Sequence, residues 1–142
     1  MTRRAPTGTS VIPTLRYEDA SAAISWLGDA FGFEPHLVVP GEGGTVIHAQ
    51  LVSEDVMIML GSARDDAFGR LQKPPAGAEA VCTQSPYIIV ADPDAHYARA
   101  VASGAEIVME IADQDHGGRM YSCRDPEGHL WSFGSYDPWA AT

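Results

Sequence analysis

The sequence predicts an α+β fold of two βαβββ modules in tandem with mixed sheets, and three observations predict it. The order of periodicities runs strand, amphipathic helix and three further strands, twice along the 142 residues. A constant offset accompanies that order: Pro13 and Pro86, Asp19 and Asp92, and Gly61 and Gly134 are each 73 residues apart. Local echoes lie within one residue of that spacing: the helix exits read Phe31-Gly32-Phe33-Glu34 and Ser103-Gly104-Ala105-Glu106, and the hairpin entries carry Gly43-Gly44 and Gly117-Gly118. Self-similarity at a fixed spacing is the signature of a duplicated supersecondary unit.

In the first module, residues 11–61, Ser10 to Leu15 reads as a short strand, with Pro13 suited to an edge or a strand end. Asp19 is the N-cap of a helix whose Ala20, Ala23, Ile24, Leu27 and Phe31 recur at the spacing of one buried face, and Gly32 stops it. Phe33 to Val39, Thr45 to Val52 and Val56 to Leu60 read as strands, separated by a turn at 40–44 and an acidic turn at Glu54 and Asp55. Residues 1–10 form an N-terminal arm and 62–85 a linker rich in charge, proline and glycine. A connection of that length either covers a binding site or is a plain surface crossover.

The second module, residues 86–136, repeats the pattern and ends in a short tail, 137–142. Tyr87 to Ala91 is its first strand, Asp92 the N-cap with Pro93 at the first helical position, and Gly104 the end of the helix. Ile107 to Ile111, Arg119 to Cys123 and His129 to Phe133 supply the other strands. Before the last of them, Asp125-Pro126-Glu127-Gly128-His129 is a hairpin turn with Gly128 placed for a left-handed residue.

Composition narrows the function classes. Nine Lys and Arg stand against nineteen Asp and Glu, a formal net charge of −10, which argues against nucleic-acid binding because phosphate contacts need clustered cations. The longest apolar runs are far short of the roughly 20 residues that span a bilayer. Arg3 and Arg4 are followed by Pro6 and Gly8 rather than an apolar stretch, so a cytoplasmic location is expected. Cys82 and Cys123 lack the spacing of a zinc site and read as buried or half-buried thiols.

Thr14-Leu15-Arg16-Tyr17 leading to Ala30-Phe31-Gly32-Phe33, then Gly118-Arg119-Met120-Tyr121 and Asp125-Pro126-Glu127-Gly128-His129-Leu130-Trp131, resemble the vicinal oxygen chelate superfamily of glyoxalases, bleomycin-resistance proteins and extradiol dioxygenases. The resemblance covers about residues 11 to 136 and implies cup-shaped four-stranded mixed sheets, a cavity between paired modules and, commonly, a homodimer. It also implies, in the metalloenzymes, one His or Glu ligand from the first strand and one from the last strand of each module. By the repeat register those places fall at or beside Pro13, at Met59, at or beside Pro86, and at Ser132, none of which suits a divalent ion. No metal and no other cofactor is therefore expected.

Strand alternation nominates a ligand-binding set. His48 and Gln50 alternate with Ile47, Ala49 and Leu51, so if the apolar side meets the helix, the polar pair points into the cup; the alternative is a pair facing solvent. Met57 and Met59 line the same side, or fill the core. In the second module Met120, Ser122, Leu130 and Ser132 face inward by the same register, while Tyr121, Cys123, Trp131 and Phe133 face the helix. His36, Tyr87, Asp115, His116 and Arg119 lie near strand ends or loops, where ligands enter, and each equally suits a surface. Trp26 flanks the first helix's stripe, and His96 and His129 read as structural.

The expected function is sequestration of a small, partly apolar molecule without a tightly bound metal. No nucleophile-base set is present, so no catalytic residue is assigned and whether the chain is an enzyme stays open. Two alternatives remain: a lyase, isomerase or dioxygenase with a divalent ion on unusual ligands such as His48, His116 or Glu110, and an accessory domain acting through protein contacts.

Overall fold

A computed structural model describes residues 8–75 and 80–140, so most of the expected arm, part of the linker and the end of the tail lie outside the described residues. The chain divides at Pro74 and Pro75 into two compact units. Each unit is one four-stranded mixed sheet with one helix.

The first unit runs β1 (Thr14–Tyr17), α1 (Ala20–Phe31), β2 (Glu34–Pro40), β3 (Val46–Ser53) and β4 (Val56–Ser62), with sheet order β1-β4-β3-β2. The first strand begins later than the expected Ser10 to Leu15. Pro13 accepts from the Met59 N–H at 2.9 Å but has no N–H of its own to offer, and the strand starts after it. Asp19 caps α1 by accepting from the Ala22 N–H at 3.0 Å, and Gly32 at φ +79° ends it. Glu54 and Asp55 make the β3–β4 turn.

One face of this sheet carries α1, and the core lies there. Leu15 pairs with Leu60 and Leu51 with Ile58, all buried, beneath Ala23, Leu27, Ala30 and Phe31 of the helix. Ile47 departs from the expected apolar face. Between β2 and β3 the partners step from Val39–His48 to Pro40–Val46, so Ile47 is the extra residue of a bulge. The bulge breaks the alternation: Val46 is buried and Ile47 is half exposed.

The second unit runs β5 (Tyr87–Ile89), α2 (Pro93–Ala102), β6 (Glu106–Asp113), β7 (Arg119–Arg124) and β8 (Leu130–Gly134), with the equivalent order β5-β8-β7-β6. The register repeats too: Thr14–Met59 in one parallel pair becomes Tyr87–Ser132 in the other. The final hairpin is one residue longer, since Gln50 pairs with Met59 but Ser122 with Ser132.

That longer turn is built on Asp125. Its buried carboxylate accepts from the backbone N–H groups of Glu127 and His129, both at 3.0 Å, and from Trp131 Nε1 at 3.1 Å. Gly128 takes φ +93°, as the turn requires. The helix-side core is aromatic: Tyr121, Trp131 and Phe133 are fully buried, with Phe133 stacked on Tyr121 at 5.5 Å. From α2, His96 Nδ1 meets the Tyr121 hydroxyl at 2.6 Å and its ring lies 4.1 Å from Phe133, which makes His96 a packing residue. Burial drives the Tyr121 hydroxyl pKa strongly upward and pushes the Cys123 thiol up to about 12.

Candidate functional site

Because helices cover one face of each sheet, the other face is where the alternating polar and thioether side chains collect. In the first unit the pairs Gln50–Met59 and Val52–Met57 put His48, Gln50, Met57 and Met59 together on the helix-free face. All four are partly buried. The Gln50 carboxamide and His48 Nε2 are hydrogen-bonded at 3.1 Å.

The second unit collects Met120, Ser122, Leu130 and Ser132 on its own helix-free face through the pairs Ser122–Ser132, Met120–Gly134 and Arg124–Leu130. The two serine hydroxyls hydrogen-bond to each other at 2.7 Å. This leaves a neutral polar spot between a methionine and a leucine.

Sequence reasoning did not nominate Arg16 or Phe68, and it named Tyr87 only as a residue near a strand end. Arg16 pairs across the sheet with Gly61, and a Cβ added at Gly61 would stand 2.6 Å from its Nη1 and 2.8 Å from the Ile47 carbonyl oxygen. Only glycine leaves room for the guanidinium to lie over the strand. Phe68 brings its ring to 5.6 Å from the Arg16 guanidinium carbon. At the matching glycine of the second unit, Gly134, the side chain alongside is Tyr87, whose hydroxyl donates to the Tyr136 carbonyl at 2.7 Å. The Tyr87 hydroxyl pKa is raised, chiefly by burial. The usable signal was the pair of glycines at the same repeat position, each facing a large first-strand side chain.

Other nominated residues go elsewhere. Arg119 donates to both oxygens of Asp94 at 3.1 Å and to Asp113 at 2.9 Å; those bonds, led by Asp94, raise its pKa. Its charge is consumed within the protein. Glu110 accepts from the Tyr97 hydroxyl, and His116 sits edge-on to Tyr136 at 4.7 Å. His36 and Asp115 are exposed. Trp26 packs edge-on against Phe31 at 5.1 Å, at the margin of the core.

Against this geometry, the model of the Glyoxalase/Bleomycin resistance protein/Dioxygenase superfamily matches residues 11–133. The chain belongs to that superfamily. Uncharacterized proteins of Mycobacterium tuberculosis H37Rv and Mycobacterium bovis are 33% identical over 122 residues, 86% of this chain and 71% and 80% of theirs. The crystal structure of TioX from Micromonospora sp. ML1 is 32% identical, with a TM-score of 0.71 over 89% of this chain and 98% of that one. A mutant of the fosfomycin resistance protein FosX from Listeria monocytogenes, complexed with Mn(II) and a dihydroxypropylphosphonic acid, shares the fold at 14% identity and a TM-score of 0.67 over 94% of each chain.

Glyoxalase-superfamily metalloenzymes are expected to hold a divalent ion from the first and last strands of each module. Here those places are the neighbouring pairs Thr14–Met59 and Tyr87–Ser132, preceded by Pro13 and Pro86. Two hydroxyls, a thioether and a phenol do not fit such an ion, which takes imidazole and carboxylate. Among the described residues no group of three or more His, Cys, Asp or Glu side chains could hold a metal. The helices among them are also too short or too polar to cross a membrane.

Proposed function

We propose that this glyoxalase-superfamily chain binds a small, partly apolar molecule on the helix-free faces of its sheets without a tightly bound metal, as a sequestering or resistance-type protein. One observation carries the reading. The strand positions that would carry His and Glu ligands carry instead the pair Thr14–Met59 in one unit and the pair Tyr87–Ser132 in the other. Soft apolar groups punctuated by a few hydroxyls and one His–Gln pair are the lining that orients a small organic molecule. Cytoplasmic location and a homodimer complete the proposal. The dimer is supported by edge strand β2, where Leu37, Val38 and Val39 are all exposed, since an edge with apolar side chains invites pairing.

A thermal-shift screen of small molecules on chelator-treated protein tests the binding reading, because a ligand of the native state raises the melting temperature by mass action. Hits that persist with chelator and weaken on His48→Ala, with the unliganded melting temperature little changed, support it. Elemental analysis near one metal per chain, lost on substituting Met59 or Ser132, contradicts it. Sedimentation as a monomer at micromolar concentration contradicts the dimer alone.

A further inference from the structure

We infer that the Ser122–Ser132 hydroxyl pair on the helix-free face of the second unit recognises an uncharged amide edge, the adjacent N–H and C=O of a lactam or primary carboxamide carried on an apolar body. The inference rests on the proposed ligand-binding role of that face and names the polar group its ligand presents.

Hydrogen-bond accounting comes first. Two serine hydroxyls carry two protons, and the 2.7 Å bond between them uses one. Among the described residues neither hydroxyl has a further partner, so a proton on one oxygen and a lone pair on the other stay unclaimed. Ser122 is only 7% exposed, and a donor left unmade at that depth is costly. Either oxygen can be the donor within the pair, so the site always offers one donor and one acceptor side by side. An amide edge closes that arrangement into a ring. The free hydroxyl donates to the ligand carbonyl, and the ligand N–H donates to the other hydroxyl. An ester or a tertiary amide leaves the second bond unmade, and a carboxylate brings no proton for it.

Strand register sets the surroundings. Tyr87 pairs with Ser132 and Ser132 with Ser122, so the phenol ring and the two hydroxyls form one row across three strands. Leu130 stands two residues before Ser132 and Met120 two before Ser122, on the same face at opposite ends of the pair. Gly134 keeps this corner compact, since a Cβ there would stand 2.7 Å from the Met120 Cβ and 2.8 Å from the Tyr87 hydroxyl. That hydroxyl already donates to the Tyr136 carbonyl, so Tyr87 brings mainly ring surface to the face. An aromatic ring, a thioether and a leucine around one polar spot suit an apolar body. In the first unit Met59 holds the place of Ser132, so the hydroxyl pair has no counterpart there.

Charge selects against an ionised ligand. The two arginines of these strands are engaged, Arg119 with Asp94 and Asp113, and Arg124 with Glu106 at 3.8 Å. A chain of net charge −10 adds a repulsive field for anions.

The test titrates the full chain, by ligand-observed NMR, with naphthamide, its N,N-dimethyl analogue, the methyl ester and the free naphthoate. The primary amide is expected to bind about threefold to tenfold tighter than each of the others, the worth of one hydrogen bond. Ser132→Ala should remove that preference by weakening the primary amide alone, and Ser132→Thr, which keeps the hydroxyl, should retain it. In protein labelled with carbon-13 methionine, the primary amide should shift the Met120 methyl resonance. Equal binding of the primary and dimethyl amides overturns the amide-edge assignment while leaving a ligand-binding face intact. Naphthoate binding tightest overturns the charge argument, and an unshifted Met120 overturns the placement. Failure of the whole panel also overturns the inference, and the unbiased screen above then judges the binding face on its own.

Discussion

The first unit buries Leu27 and Phe31 of its helix against an aliphatic sheet face of Leu15, Leu51, Ile58 and Leu60. The second buries only Pro93 and Ala100 of its helix and places the volume on the sheet, as Tyr121, Trp131 and Phe133. Strand order and parallel-pair register are the same in both. Duplication has held the backbone frame constant while bulk moved from helix to sheet, as close packing allows when the filled volume is kept. The helix-free faces diverged in the same way. Beside the matched glycines, one unit carries a cation at Arg16 and the other a neutral phenol at Tyr87.

The contrast in packing predicts where each unit breaks. Trp131→Ala should have the largest effect, about 3–5 kcal/mol in urea unfolding, because it empties a fully buried ring site and leaves one lone pair of Asp125 without its donor. Leu27→Ala should cost about 2–4 kcal/mol. A loss under about 1 kcal/mol at Trp131 would contradict an aromatic sheet as the core of the second unit.

Where the two units use the same device, the effects should match. Asp19 and Asp92 each accept from a backbone N–H three residues on, at 3.0 and 3.1 Å. Asp19→Ala and Asp92→Ala should therefore each cost about 1 kcal/mol, and values differing by more than about twofold would mean that the caps are not equivalent.

The smallest effect concerns the thiols. Cys123 is fully buried with its thiol pKa pushed up to about 12, so at pH 8 a thiol reagent should label Cys82, which is partly exposed, and reach Cys123 only on unfolding. The sign of the pH dependence follows. The unfolded thiol releases its proton near its ordinary value of 9.0 while the folded one holds it to about 12, so Cys123 contributes stability below pH 9 that is lost as pH rises through that window. Two thiols labelled at equal rates in the native protein would contradict the burial of Cys123.

The two-module frame was legible because its markers are local: Asp caps, glycine stops and period-two alternation read correctly without tertiary information. Alternation also assigned all eight nominated side chains to helix-free faces, since a strand has only two. It failed at Ile47, where a bulge resets the count, and at Ser10 to Leu15, where Pro13 delays the first strand. Arg16 was missed for a different reason. A lone arginine in a short strand looks like any surface cation, and its significance comes from Gly61 and Phe68, residues 45 and 52 positions away that only the folded chain brings beside it.

The most direct test of the ligand-binding faces uses the methionine methyl groups as reporters. Carbon-13 labelled methionine places probes at Met57, Met59 and Met120 on the helix-free faces and at Met109 on an exposed edge strand. On adding a thermal-shift hit to chelator-treated protein, the account predicts resonance shifts concentrated at Met59 with Met57 or Met120, unaltered when a divalent ion is restored. Shifts confined to Met109, or shifts at Met59 that appear only with the ion present, would contradict it.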